Sequence, residues 1–118
     1  MVKNDGLSNE QSSFFGIGEY KEQFLAGVTE HYHADEIVQG LYWDGAKGCN
    51  IGCAVECTVD VHGEWSRQTG VPEWLGLLGD TLFEGLSTVD SKHFVVDFHD
   101  AIPVGKMLFG LMLVEKSF

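Results

Sequence analysis

Apolar residues recur every three to four positions in several segments of this chain, and one short stretch alternates between apolar and polar residues. A spacing of three to four is the period of an amphipathic α-helix, whereas strict alternation is typical of a half-buried strand. The alternating stretch, Thr58 to His62, lies between helical patterns and is therefore assigned to a helix or an irregular turn. The pattern predicts an all-α fold of about five helices in one small domain.

The two ends of the chain differ in composition from its middle. Residues 1–15 carry mainly polar side chains and glycine, which predicts a flexible N-terminal arm, and residues 16–118 are assigned to a single helical domain. The first helical pattern begins at Glu19 and is expected to stop at Gly40. The stretch from Met107 to Val114 is apolar on every side and is predicted to form a strongly apolar terminal helix.

Proline, glycine and serine mark the later helices. Pro72 favours the first turn of a helix, and the apolar stripe that follows is expected to place Leu78 and Leu82 in the core. Ser87, with an acidic residue three positions later, matches a helix start signal. This last predicted helix is expected to end before Pro103.

Charge limits the partners of the chain. Eighteen acidic residues against seven basic ones give a formal net charge of −11. Such a surface repels phosphate backbones and anionic lipid, which argues against direct binding of nucleic acid or membranes. It suits a basic protein partner or a protein that imitates nucleic acid, although a net charge of this sign more often only keeps a surface well solvated. The longest apolar run is far below the roughly 20 residues of a membrane-spanning helix. An odd number of cysteines and the lack of a signal-peptide pattern favour a cytoplasmic location.

The apolar stretch from Met107 to Val114 also bears on assembly. Contiguous apolar surface of this kind usually marks an interface. We therefore expect a homo-oligomer, and a two-fold dimer is the commonest such assembly. The competing interpretation is that this stretch is the central core helix of a monomer.

Two pairs of reactive side chains, each four residues apart, are the candidate site residues. His31 and Asp35 would share one helical face, where the carboxylate can fix the imidazole tautomer for general-base or metal-ligand chemistry. Cys49 and Cys53 would also share a face, and a helix N-terminus would lower their thiol pKa. Imidazole, carboxylate and thiolate ligands together suit zinc or iron. The two pairs, with His62 as a further ligand, predict a metal site if their helices pack together.

Each candidate also has a purely structural interpretation. A histidine on an apolar stripe is more often a half-buried residue paired with an acid. A free cysteine is often a small buried hydrophobe, and metal knuckles and dithiol sites usually have two residues between their cysteines rather than three. The remaining histidines, His33, His93 and His99, are expected on the surface.

Glycines accompany the cysteine segment. If the segment is helical, Gly48 and Gly52 form a row of missing side chains parallel to the row that contains Cys49, Cys53 and Cys57. Another stretch of backbone could therefore approach this face closely.

Several motifs between His31 and Leu86 resemble a set of short uncharacterised bacterial and phage-borne proteins. The motifs are His31-x-x-Ala34-Asp35, Ile37-Val38-Gln39-Gly40 with Tyr42-Trp43, Gly45-x-x-Gly48-Cys49-x-x-Gly52-Cys53, Gly70-Val71-Pro72, and Phe83-Glu84-Gly85-Leu86. The set has no known activity, so the resemblance implies that the candidate residues matter without naming their role. This chain departs from the pattern after Cys53, where the others carry a nearer histidine.

Two functional classes follow from these observations. The leading hypothesis is an acidic interaction or regulatory protein that acts through self-association and protein binding. The alternative is a small metal- or thiol-dependent enzyme with a site built from His31, Asp35, Cys49 and Cys53.

Overall fold

The computed structural model describes residues 12–106 and the strands at 108–109 and 112–113, and the fold is all-α. The described residues form five helices: α1 (Gly18–His33), α2 (Asn50–Val55), α3 (Val61–Thr69), α4 (Glu73–Glu84) and α5 (Thr88–Ala101). A short 3₁₀ turn, Ser13–Gly16, precedes α1. Two short strands, β1 (Leu108–Phe109) and β2 (Met112–Leu113), pair antiparallel after α5. No helix among these residues is long and apolar enough to cross a membrane.

Two neighbouring clusters of buried side chains make up the core. Phe24 of α1 and Ala54 of α2 pack against both clusters, so these two helices join the halves of the domain. The first cluster contains Phe14, Ile51, Val55, Val61, Trp65, Val71 and Ile102. The second contains Val28, Ile37, Cys49, Cys53, Phe83 and Val95.

The first helix is shorter than its apolar pattern predicts. The expected stop at Gly40 is wrong, because α1 ends at His33. Asp35 adopts a left-handed backbone with φ of 58°, and its N–H bonds to the carbonyl of Tyr32. This reversal begins the 34–49 loop, whose two ends are tied by a hydrogen bond from the N–H of Gly48 to the carbonyl of Glu36.

The fourth helix has the predicted position but buries a different face. Leu78 and Leu82, expected in the core, are 42% and 50% exposed. The face that packs inward carries Gly76 and Gly79, and the ring of Trp65 occupies the space where a side chain of Gly76 would stand. A ring of α5 fills the corresponding space at Gly79. Aromatic side chains of the neighbouring helices thus replace the expected leucines.

The last helix agrees with its predicted signals, whereas the stretch after it does not. The side chain of Ser87 accepts a hydrogen bond from the N–H of Asp90, and α5 ends at Ala101, before Pro103. The predicted terminal helix is wrong where the chain is described, because β1 and β2 form an antiparallel ribbon there. The dimer prediction depends on the side chains of residues 107–114, and of this stretch the structure describes only the backbone of the two strands.

The last residues of the predicted N-terminal arm are packed against the domain. Residues 1–11 lie outside the described residues, but Ser13 and Phe14 are fully buried. The N–H of Ser13 donates to the carbonyl of Lys106, and its carbonyl accepts from the N–H of Gly105. Phe14 belongs to the first core cluster, and its burial there explains why Ser13 and Phe14 pack against the domain.

The expected surface location is confirmed for two histidines and wrong for the third. His33 and His93 are exposed, whereas His99 is fully buried. The indole N–H of Trp65 donates to His99 Nε2 at 3.0 Å, and His99 Nδ1 lies 2.9 Å from the carbonyl of Val95. Burial lowers the pKa of His99 to about 4, so the imidazole is neutral at pH 7 and can make both bonds.

Candidate functional site

The end of α1 separates His31 from Asp35. His31 Nδ1 lies 2.6 Å from Glu36 Oε1, and His31 Nε2 lies 2.6 Å from Glu56 Oε2. The Asp35 carboxylate instead lies 2.9 Å from Lys92 Nζ. The predicted shared helical face is therefore wrong, because Asp35 is outside the helix.

Cys49 and Cys53 lie one turn apart, and both are buried. Cys49 is the residue before α2, and the N–H of Cys53 donates to its carbonyl at 2.9 Å. The Cys53 thiol donates to the carbonyl of Gly48 at 3.2 Å. Burial raises the pKa of Cys49 to about 11 and that of Cys53 to about 12. Both thiols are therefore protonated at neutral pH.

The predicted ligand set is divided among separate environments. His31 is held by two carboxylates, Asp35 by a lysine, and Cys53 by backbone carbonyls. His62, the further predicted ligand, pairs with Asp80, and Cys49 lies beside the same carboxylate. Within the described residues, no group of three or more His, Cys, Asp or Glu is arranged to hold a metal ion.

A cleft of about 450 Å³ opens between the 34–49 loop and α4. The loop contributes Gly40, Leu41, Tyr42 and Cys49 to its lining. Helix α4 contributes Leu77, Asp80, Thr81 and Glu84, and α3 contributes His62. Small-molecule and anchoring sites commonly have volumes of about 300–1,000 Å³. The cleft is therefore large enough to receive a ligand or a side chain of a partner.

Three polar side chains, His62, Asp80 and Cys49, meet at the cleft. His62 Nε2 lies 2.6 Å from Asp80 Oδ2, and both side chains are about 15% exposed. Asp80 Oδ1 accepts from the N–H of Ile51 at 3.3 Å and lies 3.9 Å from the Cys49 sulfur. Burial raises the pKa of Asp80, and the hydrogen bond from His62 opposes that rise. His62 and Cys49 were predicted from the sequence as site residues, whereas Asp80 was not.

Two groups show that the cleft is electronegative. Burial is the main reason that the pKa of Tyr42 and the pKa of Cys49 are raised, and the charges of Asp80 and Glu84 raise both further. None of the described residues that line the cleft is lysine or arginine. The cleft therefore favours a positively charged ligand.

Hydrogen bonds join the 34–49 loop to the end of α4. The Gln39 side chain donates to the carbonyls of Phe83 and Leu86, both at 2.9 Å. The carboxylate of Glu84 accepts from the N–H of Gly40 at 2.9 and 3.1 Å. Two of the sequence motifs, Ile37-Val38-Gln39-Gly40 and Phe83-Glu84-Gly85-Leu86, thus contact each other and fix one side of the cleft.

The close backbone approach predicted for Gly48 and Gly52 is present, but the predicted helical rows are wrong, because α2 spans only Asn50–Val55 and leaves Gly48 and Cys57 outside it. A β carbon at Gly48 or at Gly52 would overlap the carbonyl oxygen of Tyr42. That same oxygen accepts a hydrogen bond from the N–H of Cys49 at 3.2 Å. The two glycines therefore allow the loop to lie on α2 and place Tyr42 at the cleft.

Five large apolar side chains of the loop and of α4 are exposed, and three of them, Leu41, Tyr42 and Leu77, line the cleft. On α4, Leu77, Leu78 and Leu82 are 51%, 42% and 50% exposed, and on the loop Leu41 and Tyr42 are 39% and 48% exposed. We call these five residues the leucine face. An exposed apolar surface beside a cleft is typical of a binding site.

Comparisons with protein-family models, with curated proteins and with solved structures gave no match to this chain. The fold and the site therefore give the only description of the protein that these observations support: a small all-α domain with an acidic cleft next to the leucine face.

Proposed function

We propose that this protein is an acidic interaction protein that binds a basic protein partner through the leucine face and the adjoining cleft. The observation that carries the proposal is the exposure of Leu77, Leu78 and Leu82 on one helix, at 42% or more each. Large apolar side chains cost free energy when water surrounds them, and the cost is recovered when a partner covers them.

Charge favours a basic partner over a second copy at this surface. The adjoining cleft contains the carboxylates of Asp80 and Glu84, and the whole chain has a net charge of −11. In a two-fold dimer through the leucine face, each copy would present the same carboxylates to the other, and such like-charge contacts are unfavourable. A partner segment with lysine or arginine beside apolar side chains matches both the charge and the leucines.

A synthetic amphipathic peptide tests the proposal without a known partner. The probe is a labelled 18-residue helix of leucine and lysine with one apolar face, and its binding is followed by fluorescence anisotropy (18 residues is about five turns). We expect the double variant Leu78→Asp, Leu82→Asp to weaken binding roughly tenfold or more, as loss of central apolar contacts does at interfaces. Adding salt should weaken binding of the wild type as well.

The matched control introduces the same charge elsewhere. Val89 on α5 is 75% exposed and does not line the cleft, so Val89→Asp and a second aspartate at the exposed Val59 reproduce the charge change. We expect this control to bind the peptide nearly as the wild type does. Equal loss in both double variants would show general attraction between opposite charges and contradict the proposal.

An enzyme at the same cleft is the second candidate. The observation in its favour is the short contact between His62 and Asp80, since a carboxylate that orients an imidazole is a common general-base arrangement. The Cys49 thiol, with a pKa of about 11, is a poor candidate for the nucleophile. Iodoacetamide at pH 7.5 should therefore alkylate Cys49 far more slowly in the folded protein than in urea. Rapid alkylation of folded protein would favour a thiol-dependent enzyme.

Self-association and a cytoplasmic location complete the proposal. The apolar stretch from Met107 to Val114 supports a homodimer, and light scattering should then give twice the chain mass of 13.0 kDa. A mass near 13.0 kDa would contradict the dimer. Cys49, Cys53 and Cys57 are free thiols, which supports a reducing compartment.

A further inference from the structure

We propose that the cleft binds the guanidinium group of one arginine side chain of the basic partner, which anchors the complex. The inference rests on the proposed function, because the arginine belongs to that partner. The inference names the chemical group of the partner that binds and places it in the cleft beside the leucine face.

The shape of the cleft suits a long side chain with a polar end. Leu41 and Tyr42 lie on the loop side and Leu77 on the helix side, so the walls near the surface are apolar. The polar groups of Asp80 and His62 are only about 15% exposed and lie deeper. The methylene groups of an arginine can lie against apolar walls while its charged end reaches a carboxylate.

Two carboxylates, Asp80 and Glu84, are placed to receive the charge. They stand four residues apart on α4, so they share one face of the helix. Their charges act on Tyr42 and on Cys49, at two separate positions of the lining. None of the described lining residues is lysine or arginine, and within that lining the basic group that contacts the pair is the imidazole of His62, which bonds to Asp80 Oδ2 and leaves Glu84 without a basic side chain of the lining against it.

Asp80 retains capacity to accept further hydrogen bonds. Each carboxylate oxygen can accept about two bonds. Oδ1 has long contacts, 3.3 Å to the N–H of Ile51 and 3.9 Å to the Cys49 sulfur, and Oδ2 has one short contact to His62. A guanidinium N–H can therefore bond to Asp80 without displacing the histidine.

Arginine fits this cleft better than lysine does. A guanidinium is planar and has five N–H donors, so it can bond to Asp80 and Glu84 at the same time, whereas an ammonium is a compact point charge. A guanidinium also stacks favourably on an aromatic ring, and Tyr42 is available at the wall.

The test uses three small probes with the folded full-length protein. N-acetyl-arginine amide is compared with the citrulline amide, which has the same shape without the charge, and with the lysine amide. Binding is measured from the amide chemical shifts of ¹⁵N-labelled protein. We expect a Kd on the order of 1 mM for the arginine probe, with shifts at Gly40, Leu41 and Thr81, and at least tenfold weaker binding of the citrulline probe.

Variants locate the site. Glu84→Gln should weaken the arginine probe severalfold, whereas Glu73→Gln removes the same charge from α4 outside the cleft and should leave binding unchanged. Because Glu84 also holds the loop, Thr81→Arg serves as a second variant. Thr81 is exposed, so this substitution leaves the core intact and places a guanidinium at the cleft, where it should abolish probe binding.

The possible outcomes separate the two proposals. Equal binding of the arginine and citrulline probes, or shifts that lie outside the cleft, would overturn the arginine site even if the leucine and lysine peptide binds. If the arginine probe binds in the cleft and the peptide does not depend on the leucine face, the interaction function fails. The cleft would then be a site for a free guanidinium compound.

Discussion

Replacing Gly52 with alanine tests the close approach of the loop to α2, on which the cleft depends. The new β carbon would overlap the carbonyl carbon and oxygen of Tyr42, and backbone atoms cannot rotate away as a side chain can. Overpacking of this kind costs about 1–3 kcal/mol, and a backbone clash belongs at the upper end. Alanine also gains about 0.5–1 kcal/mol over glycine in a helix. The expected net loss is therefore about 2 kcal/mol.

Gly27→Ala is the matched control, because it makes the same change where the structure is open. A β carbon at Gly27 would meet nothing within 4 Å, and the residue is exposed in the middle of α1. We expect this variant to be more stable than the wild type by about 0.5–1 kcal/mol. The assay is urea unfolding followed by circular dichroism at 222 nm, the wavelength at which helix is measured. Two variants that shift stability in the same direction, or a Gly52→Ala protein as stable as the wild type, would refute the close approach.

Three further predictions concern stability. Burial lowers the pKa of His31, but Glu36 and Glu56 raise it more, so the pKa in the folded protein is above 6.5. The stability that this pairing provides is complete below pH 6.5 and is lost as the pH rises through the raised pKa. His31→Gln should remove this loss of stability in urea unfolding at pH 6 and above, and a pH profile unchanged by the substitution would contradict the pairing of His31 with the two glutamates. Burial lowers the pKa of His99 to about 4, so the free energy of unfolding should fall by roughly 3 kcal/mol as the pH falls from 6.5 to 4. His99→Phe should flatten that part of the plot of stability against pH, and a wild-type plot that is already flat would contradict the buried neutral imidazole. Leu78→Ala should cost less than 1 kcal/mol and Phe83→Ala about 3–5 kcal/mol, and equal costs would mean that the face of α4 is wrongly oriented.

Signals that act within a few residues predicted their part of the fold well. Ser87 caps α5 through a bond to a residue only three positions away, and that geometry depends on nothing else in the chain. Gly52 was informative for a similar reason, since a missing side chain on a helical face is useful only where something comes close, although Gly48 lies in the loop before α2. Both features follow from local stereochemistry.

Features of the fold that depend on packing between helices could not be predicted from such local signals. The pattern of α4 offered two faces, and large rings from α3 and α5 made the glycine face the buried one. The pattern after His33 continued to look helical, but the left-handed turn at Asp35 ends the helix. Asp80 was missed because it comes close to His62 only when α3 and α4 pack together. An aspartate and a glutamate four residues apart on a strongly apolar helix were the one local signal that could have indicated it.

The central claim is that the leucine face and the cleft form the binding surface. Its most direct test is to map the leucine and lysine peptide on the ¹⁵N-labelled protein by amide chemical shifts. We predict that the shifts concentrate in α4, Glu73–Glu84, and in the 34–49 loop, and that they weaken with added salt. Shifts that concentrate on α1 or α5, or that spread evenly over the acidic surface, would contradict the claim.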